Sequence, residues 1–304
     1  MKRLFVLLAS VTVLGLGVWY ITMRLNQPNS WSRTFQGIGT NSSPRAVDLN
    51  RDGILDIVLG AGGEEFKKTD AAVIALDGST GEILWKVGGI NQVVGSAIFK
   101  DISGDGVSDV FIGGRTAQFY AINGRTGKII WQHLKPGSVS DASLPDTTLL
   151  NFYNPQFIPD QNKDGVDDIL TTFGGYVHAD ARDLNRPAGM LMILDATNGK
   201  VLKKSPAPDK KEIYMSPVVY DFGNGPTIIF GTGGETIPGS LYALRLEDFV
   251  RSDVKNSIRI DSGNTKGFIA PPVIADLSGD GIGEIVVTTM DGYMKSYSGK
   301  DFSL

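Results

Sequence analysis

One nine-residue pattern, repeated in phase along the chain, limits the fold more than any other feature. It reads Asp48-Leu-Asn50-Arg-Asp52-Gly53-Ile54-Leu-Asp56, then Asp101-Ile-Ser103-Gly-Asp105-Gly106-Val107-Ser-Asp109. A third copy is Asp160-Gln-Asn162-Lys-Asp164-Gly165-Val166-Asp-Asp168, and another is Asp276-Leu-Ser278-Gly-Asp280-Gly281-Ile282-Gly-Glu284. Between these two lies a decayed copy, Asp221-Phe-Gly223-Asn-Gly225, with Ile229 in the place expected for the ninth-position acid. Successive copies start 53, 59, 61 and 55 residues apart. A period of this size marks a stacked or circular array in which each repeat covers its neighbour's apolar face.

The same elements flank every loop. Before it come short apolar runs such as Ala97-Ile98-Phe99, Val218-Val219-Tyr220 and Val273-Ile274-Ala275. After it come β-branched runs that end in glycine, such as Ile57-Val58-Leu59-Gly60 and Val110-Phe111-Ile112-Gly113. A third run, such as Val73–Leu76, turns at Asp77-Gly-Ser-Thr-Gly81 or Asn123-Gly-Arg-Thr-Gly127, where Asx and Gly supply turn geometry. A fourth run carries Trp85 or Trp131. Four short strands per unit predict an all-β fold, a β-propeller of four-stranded blades over residues 31–304, with no competing amphipathic helix. Glycine, at 38 residues, suits this turn density. Residues 31–37, containing Trp31 and Phe35, read as a lone fourth strand able to complete the last blade. Five repeats are legible; a five-bladed ring and a piece of a seven- or eight-bladed ring are both open.

The Asp-x-Asn-x-Asp-Gly-x-x-Asp loop followed by an apolar strand and Gly resembles the FG-GAP repeat of integrin α-subunit propellers. The segments Asp77–Trp85 and Asn123–Trp131 resemble the tryptophan repeats of quinoprotein-like propellers. Together the two resemblances cover residues 31–304. They imply a propeller with calcium at its loops, and they bring two enzyme classes into view: quinoprotein-like dehydrogenases and carbohydrate-active enzymes.

The loop residues themselves favour a hard cation. Side-chain oxygens at positions 1, 3, 5 and 9, a carbonyl at position 7 and a glycine at position 6 form an oxygen cage suited to Ca²⁺. The ligand sets are Asp48, Asn50, Asp52, Ile54 and Asp56; Asp101, Ser103, Asp105, Val107 and Asp109; Asp160, Asn162, Asp164, Val166 and Asp168; Asp276, Ser278, Asp280, Ile282 and Glu284. About four Ca²⁺ sites are expected, each stapling a hairpin, with the Asp221 copy empty. The competing reading of each loop is a polar turn whose carboxylates cap backbone amides.

At the N-terminus, Lys2 and Arg3 precede an apolar stretch, residues 4–23, long enough to span a bilayer and closed by Trp19, Tyr20 and Arg24. We read residues 1–3 as a cytoplasmic tip, 4–23 as a single-pass signal anchor and 24–30 as a spacer, with the propeller outside the cytoplasm. A cleaved signal peptide is the alternative.

With 29 Lys+Arg against 33 Asp+Glu, the chain lacks the basic surplus of a nucleic-acid binder. It has no cysteine, which excludes disulfides, zinc–thiolate sites and thiol nucleophiles. Three segments exceed the needs of a blade: residues 134–157; residues 176–188, with His178, Asp180, Arg182, Asp183 and Arg186; and residues 232–239, with Glu235. The last two follow the same strand in neighbouring units, so they belong on one face, where a protein or carbohydrate ligand is expected. No catalytic or organic-cofactor residues are assigned. The expected function is a membrane-tethered calcium-binding module for binding, adhesion or scaffolding.

Overall fold

The computed structural model describes residues 30–133, 150–181 and 183–304. Among the described residues, five antiparallel sheets follow one another along the chain, with strands side by side in sequence order apart from one short extra strand in the third. The first blade is β1 (Arg45–Val47), β2 (Asp56–Gly60), β3 (Thr69–Leu76) and β4 (Ile83–Gly89). The second is β5 (Ile98–Lys100), β6 (Asp109–Gly113), β7 (Phe119–Ile122) and β8 (Ile129–Gln132). In the third, β9 (Asn151–Phe152) and β10 (Gln156–Ile158) both pair with β11 (Asp168–Gly174), which leads to β12 (Met190–Leu194) and β13 (Val201–Pro206). The fourth is β14 (Val218–Asp221), β15 (Pro226–Gly231), β16 (Ser240–Arg245) and β17 (Ile258–Ser262). The last has three strands, β18 (Val273–Ala275), β19 (Glu284–Thr288) and β20 (Met294–Tyr297).

The apolar runs become the middle strands, and β6, β7 and β11 are buried along their whole length. Each blade covers the next. One cluster joins blades one and two through Val73, Trp85, Val110 and Tyr120; others join two to three, three to four and four to five. This is the stacking expected of repeats that cannot bury both faces alone.

A tryptophan fixes the spacing of the first blades. The Trp85 indole donates to the Gly124 carbonyl (2.7 Å) and Trp131 donates to the Ala196 carbonyl (2.8 Å), each in the turn of the following blade. Gly127 and Gly199 leave room for the rings: a Cβ there would lie 2.7 and 2.4 Å from an indole atom. Trp31 repeats the contact, donating to the Gly78 carbonyl (2.8 Å) beside Gly81.

Three expectations change. Residues 31–37 contain no strand and make no backbone hydrogen bond to β20 among the described residues; with Ile38 they lie on the outer face of blade one. The indole and Arg33, which donates to the Thr80 carbonyl, hold the segment there. The far face of the last sheet leaves Val273 and Met294 exposed. Second, Tyr220 pairs with Thr227 in the fourth blade, as Val47 pairs with Asp56 in the first, so Thr227 rather than Ile229 takes the ninth-position place and the decayed loop is two residues shorter. Third, a short helix, Leu246–Ser252, interrupts the fourth blade; its spacing puts Leu246 and Phe249 into the core between blades three and four. The apolar N-terminal stretch lies outside the described residues, and among those described no helix is long and apolar enough to cross a membrane.

Gly127→Ala combines a left-handed φ of 69° with a clash against Trp85, whereas Gly279→Ala has a φ of 77° and open space. The left-handed conformation alone costs about 1–2 kcal/mol. Urea unfolding should therefore show Gly127→Ala as clearly the more damaging substitution; equal losses would mean that the indole contact contributes nothing.

Candidate metal loops and a cleft on the opposite face

In every blade the repeated loop joins the first two strands, and in blades one to three the Asx-Gly turn joins the last two, so there both lie at the same end of the sheet. Asp48 accepts the Arg51 and Gly53 amides, Asp101 those of Gly104 and Gly106, Asp160 those of Lys163 and Gly165, and Asp276 those of Gly279 and Gly281. At position 5, Asp52, Asp105, Asp164 and Asp280 accept the amides of Ile54, Val107, Val166 and Ile282. Asn50 and Asn162 accept the amides of Asp52 and Asp164 through their side-chain oxygens. Ser103 and Ser278 donate their hydroxyls to Asp109 and Glu284.

In the first three loops the ninth-position acid is the buried member. Asp56 accepts Leu49 N and Gly78 N, tying the loop to the turn of the same blade; Asp109 does the same with Ile102 N and Gly124 N. Asp168 accepts Gln161 N through Oδ2, but its Oδ1 has no hydrogen-bond partner. Burial pushes the Asp168 carboxyl up to about 6; the Gln161 amide opposes this, and the carboxylates of Asp195, Asp160 and Asp164 reinforce it. In the last blade, Asp276, Asp280 and Glu284 bring carboxylate oxygens within 4.8 Å of one another, an arrangement able to hold a cation.

Loop spacing alone missed the contribution of the turns. Asn50 Nδ2 lies 3.1 Å from Asp77, Asn162 Nδ2 lies 3.1 Å from Asp195, and Asn123 Nδ2 reaches Ser103, Asp105 and Asp109. The available signal was the recurring turn pattern at Asp77, Asn123 and Asp195, each four residues before a glycine.

The connections at the other end of the sheets build a cleft of about 330 Å³ between blades three and four. It brings together the two segments that the sequence placed on one face, with Tyr176 and Arg186 from one, Glu235 and Thr236 from the other, and Tyr214 and Ile269 from the inter-blade connections. Arg186 anchors the arrangement. Its guanidinium donates to Glu212 (2.8 Å), Thr236 (3.0 Å), the carbonyls of Asp180 and Asp183, and weakly to Tyr214. All five donors are thereby engaged. Burial opposes the Arg186 charge, but the Glu212 hydrogen bond and charge outweigh it, so the pKa rises. Burial, with Glu212 beside it, pushes the Tyr214 hydroxyl up to about 12. Glu235 is exposed at the cleft without a hydrogen-bond or ion-pair partner among the described residues. His178 is exposed and rests edge-on to Tyr176, and Asp183 caps the Asn185 amide. Arg182 and residues 134–149 lie outside the described residues. Glu212 and Tyr214 carried no motif, and only the fold revealed them.

No family model matches the chain, and no curated protein matches it in sequence. Solved structures match its fold. BBS1N in complex with ARL6DN aligns at a TM-score of 0.51 and 14% identity, covering 88% of this chain and 70% of that one. Sqt1 of Saccharomyces cerevisiae aligns at 0.50 and 11%, covering 84% and 59%. BamB of Moraxella catarrhalis aligns at 0.46 and 14%, covering 85% and 58%, and the quinohemoprotein alcohol dehydrogenase of Comamonas testosteroni at 0.47 and 15%, covering 88% and 45%. The fold is an all-β propeller of successive antiparallel sheets. The chain spans about half the length of the BamB and dehydrogenase structures, and at these identities the likeness is one of fold alone.

The Arg186–Glu212 pair yields a direct test. Its side chains are only 7% and 0% exposed. Glu212→Ala leaves a buried guanidinium without its carboxylate and should cost about 3–5 kcal/mol, because the uncompensated charge stays desolvated. Urea unfolding should show the loss, and limited proteolysis should find new cleavage within residues 176–188. Wild-type behaviour in both assays would mean that the pair does not hold the cleft together.

Proposed function

We propose that the chain is a membrane-tethered, extracytoplasmic propeller whose loops bind Ca²⁺ and whose opposite face binds a protein or carbohydrate ligand, making it a binding or scaffolding module. The observation that carries this reading is the division of labour between the two ends of the sheets. Acid-rich loops repeat at one end in four of five blades, as a structural cation would require. At the other end, a cleft is lined by Arg186, which pairs with the buried Glu212. Calcium in such loops would offset carboxylate repulsion and so convert binding energy into folding energy. The side chains facing the cleft, Tyr176, Tyr214 and Glu235, suit recognition by ring stacking and hydrogen bonding. Residues 4–23 would keep this module at the membrane.

Chelation should lower the melting temperature of the full-length chain, and added Ca²⁺ should restore it, since a ligand held at 100 times its Kd stabilises by about 2.7 kcal/mol per site. Asp105→Ala should lose one equivalent of calcium, the matching change at Asp221 should lose none, and Mg²⁺ should substitute poorly. If metal analysis finds no calcium and the melting curve does not move, the loops are polar turns. Membrane attachment is checked by an alkaline wash: the chain should stay in the membrane fraction with Met1 at its N-terminus.

A further inference from the structure

The four complete loops share a sequence pattern, but the side chains around them differ in charge. In the second blade, Arg51 and Arg125 both donate to the Asp105 carbonyl (2.7 and 3.0 Å), and the Arg125 Nε lies 3.8 Å from the Asp105 carboxylate. In the last blade, Lys300 Nζ stands 2.7 Å from Asp280 Oδ2. These two loops hold three carboxylates each and already carry tethered cations. The third loop holds Asp160, Asp164 and Asp168, and the turn adds a fourth carboxylate, Asp195; the first loop has the same count, with Asp77 beside Asp48, Asp52 and Asp56, so charge alone separates these two loops from the second and last but not from each other. One amide nitrogen, Asn162 Nδ2, lies 3.1 Å from both Asp164 and Asp195, so the turn acid and the loop acid share one donor.

A second, independent observation concerns Asp168. The residue after the turn Asx is glycine in blades one and two, and a Cβ at Gly78 or Gly124 would meet a backbone carbonyl at 1.9 or 2.0 Å. That close approach is what lets their amides reach Asp56 and Asp109. In blade three the position is Ala196, whose methyl group cannot enter that space. Asp168 Oδ1 is left without a partner although the residue is 1% exposed. A buried carboxylate oxygen with nothing to bind, beside three other carboxylates, is a strongly unfavourable arrangement until a cation arrives.

We propose that the third-blade loop is the tightest divalent-cation site of the chain, with Asp195 as an additional ligand and Asp168 Oδ1 free to bind the ion, and that Arg125 and Lys300 are built-in counter-ions weakening the second and last loops. This rests on the loops being cation sites, as proposed above, and replaces four equal sites by an ordered series. Ca²⁺ is the fitting ion, because its affinity follows the charge count of a flexible oxygen cage.

The test is a stepwise Ca²⁺ titration of the full-length chain in detergent, read by competition with a chromophoric chelator and by metal analysis. Asp195→Asn keeps the turn, since Asn123 caps the equivalent turn of blade two through its own side-chain oxygen. It should weaken the tightest step roughly tenfold or more and leave the others in place. Ala196→Gly should weaken the same step by giving Asp168 an amide partner. Lys300→Gln should strengthen one of the weak steps. Four equal steps, or a tightest step untouched by Asp195→Asn, would overturn this inference while leaving calcium binding intact. The absence of any calcium uptake would overturn both.

Discussion

The ninth-position carboxylate is the contact that ties loop to turn in blades one and two. It is the residue where the second strand begins, and it is buried in blades one, two and three. A buried carboxylate is tolerated only when its oxygens are satisfied, and Asp56 and Asp109 are satisfied by amides from two different hairpins. The acid therefore fixes the distance between the loop and the turn, and with it the register of four strands. The fourth blade shows what happens without it. Its loop shortens by two residues, Thr227 fills the place, and the helix Leu246–Ser252 supplies apolar contacts instead.

Between blades, the tryptophan on the next turn has the corresponding role. The indole needs one hydrogen-bond acceptor and one flat surface, and a glycine turn offers both. Trp31 makes the same contact although it lies outside any strand, so blade one is covered by its own N-terminal segment. Among the described residues no such contact covers the last sheet, and Val273 and Met294 stand exposed on its far face.

The two ends of the sheets consequently do different things. One end concentrates carboxylates on short, tightly hydrogen-bonded loops, where tethered Arg and Lys side chains offset part of the charge. The other end carries the longer connections, and there the buried Arg186–Glu212 pair organises the cleft. A rigid scaffold with adaptable loops at one end is the general arrangement for recognition.

The sequence by itself determined the repeat, its period, the strand order within each blade and the grouping of residues 176–188 with 232–239, because all of these follow from local spacing and from which turns glycine permits. It also marked the loop acids. Only the tertiary structure decided where residues 31–37 lie, that Thr227 replaces the acid in blade four, and that Glu212 and Tyr214 face Arg186. It alone distinguished the loops from one another, since Asp195, Ala196, Arg125 and Lys300 act on carboxylates remote in sequence. The physical reason is range. A turn or a strand is fixed by neighbours a few residues away, whereas the charge around a carboxylate is set by every chain segment that the fold packs against it.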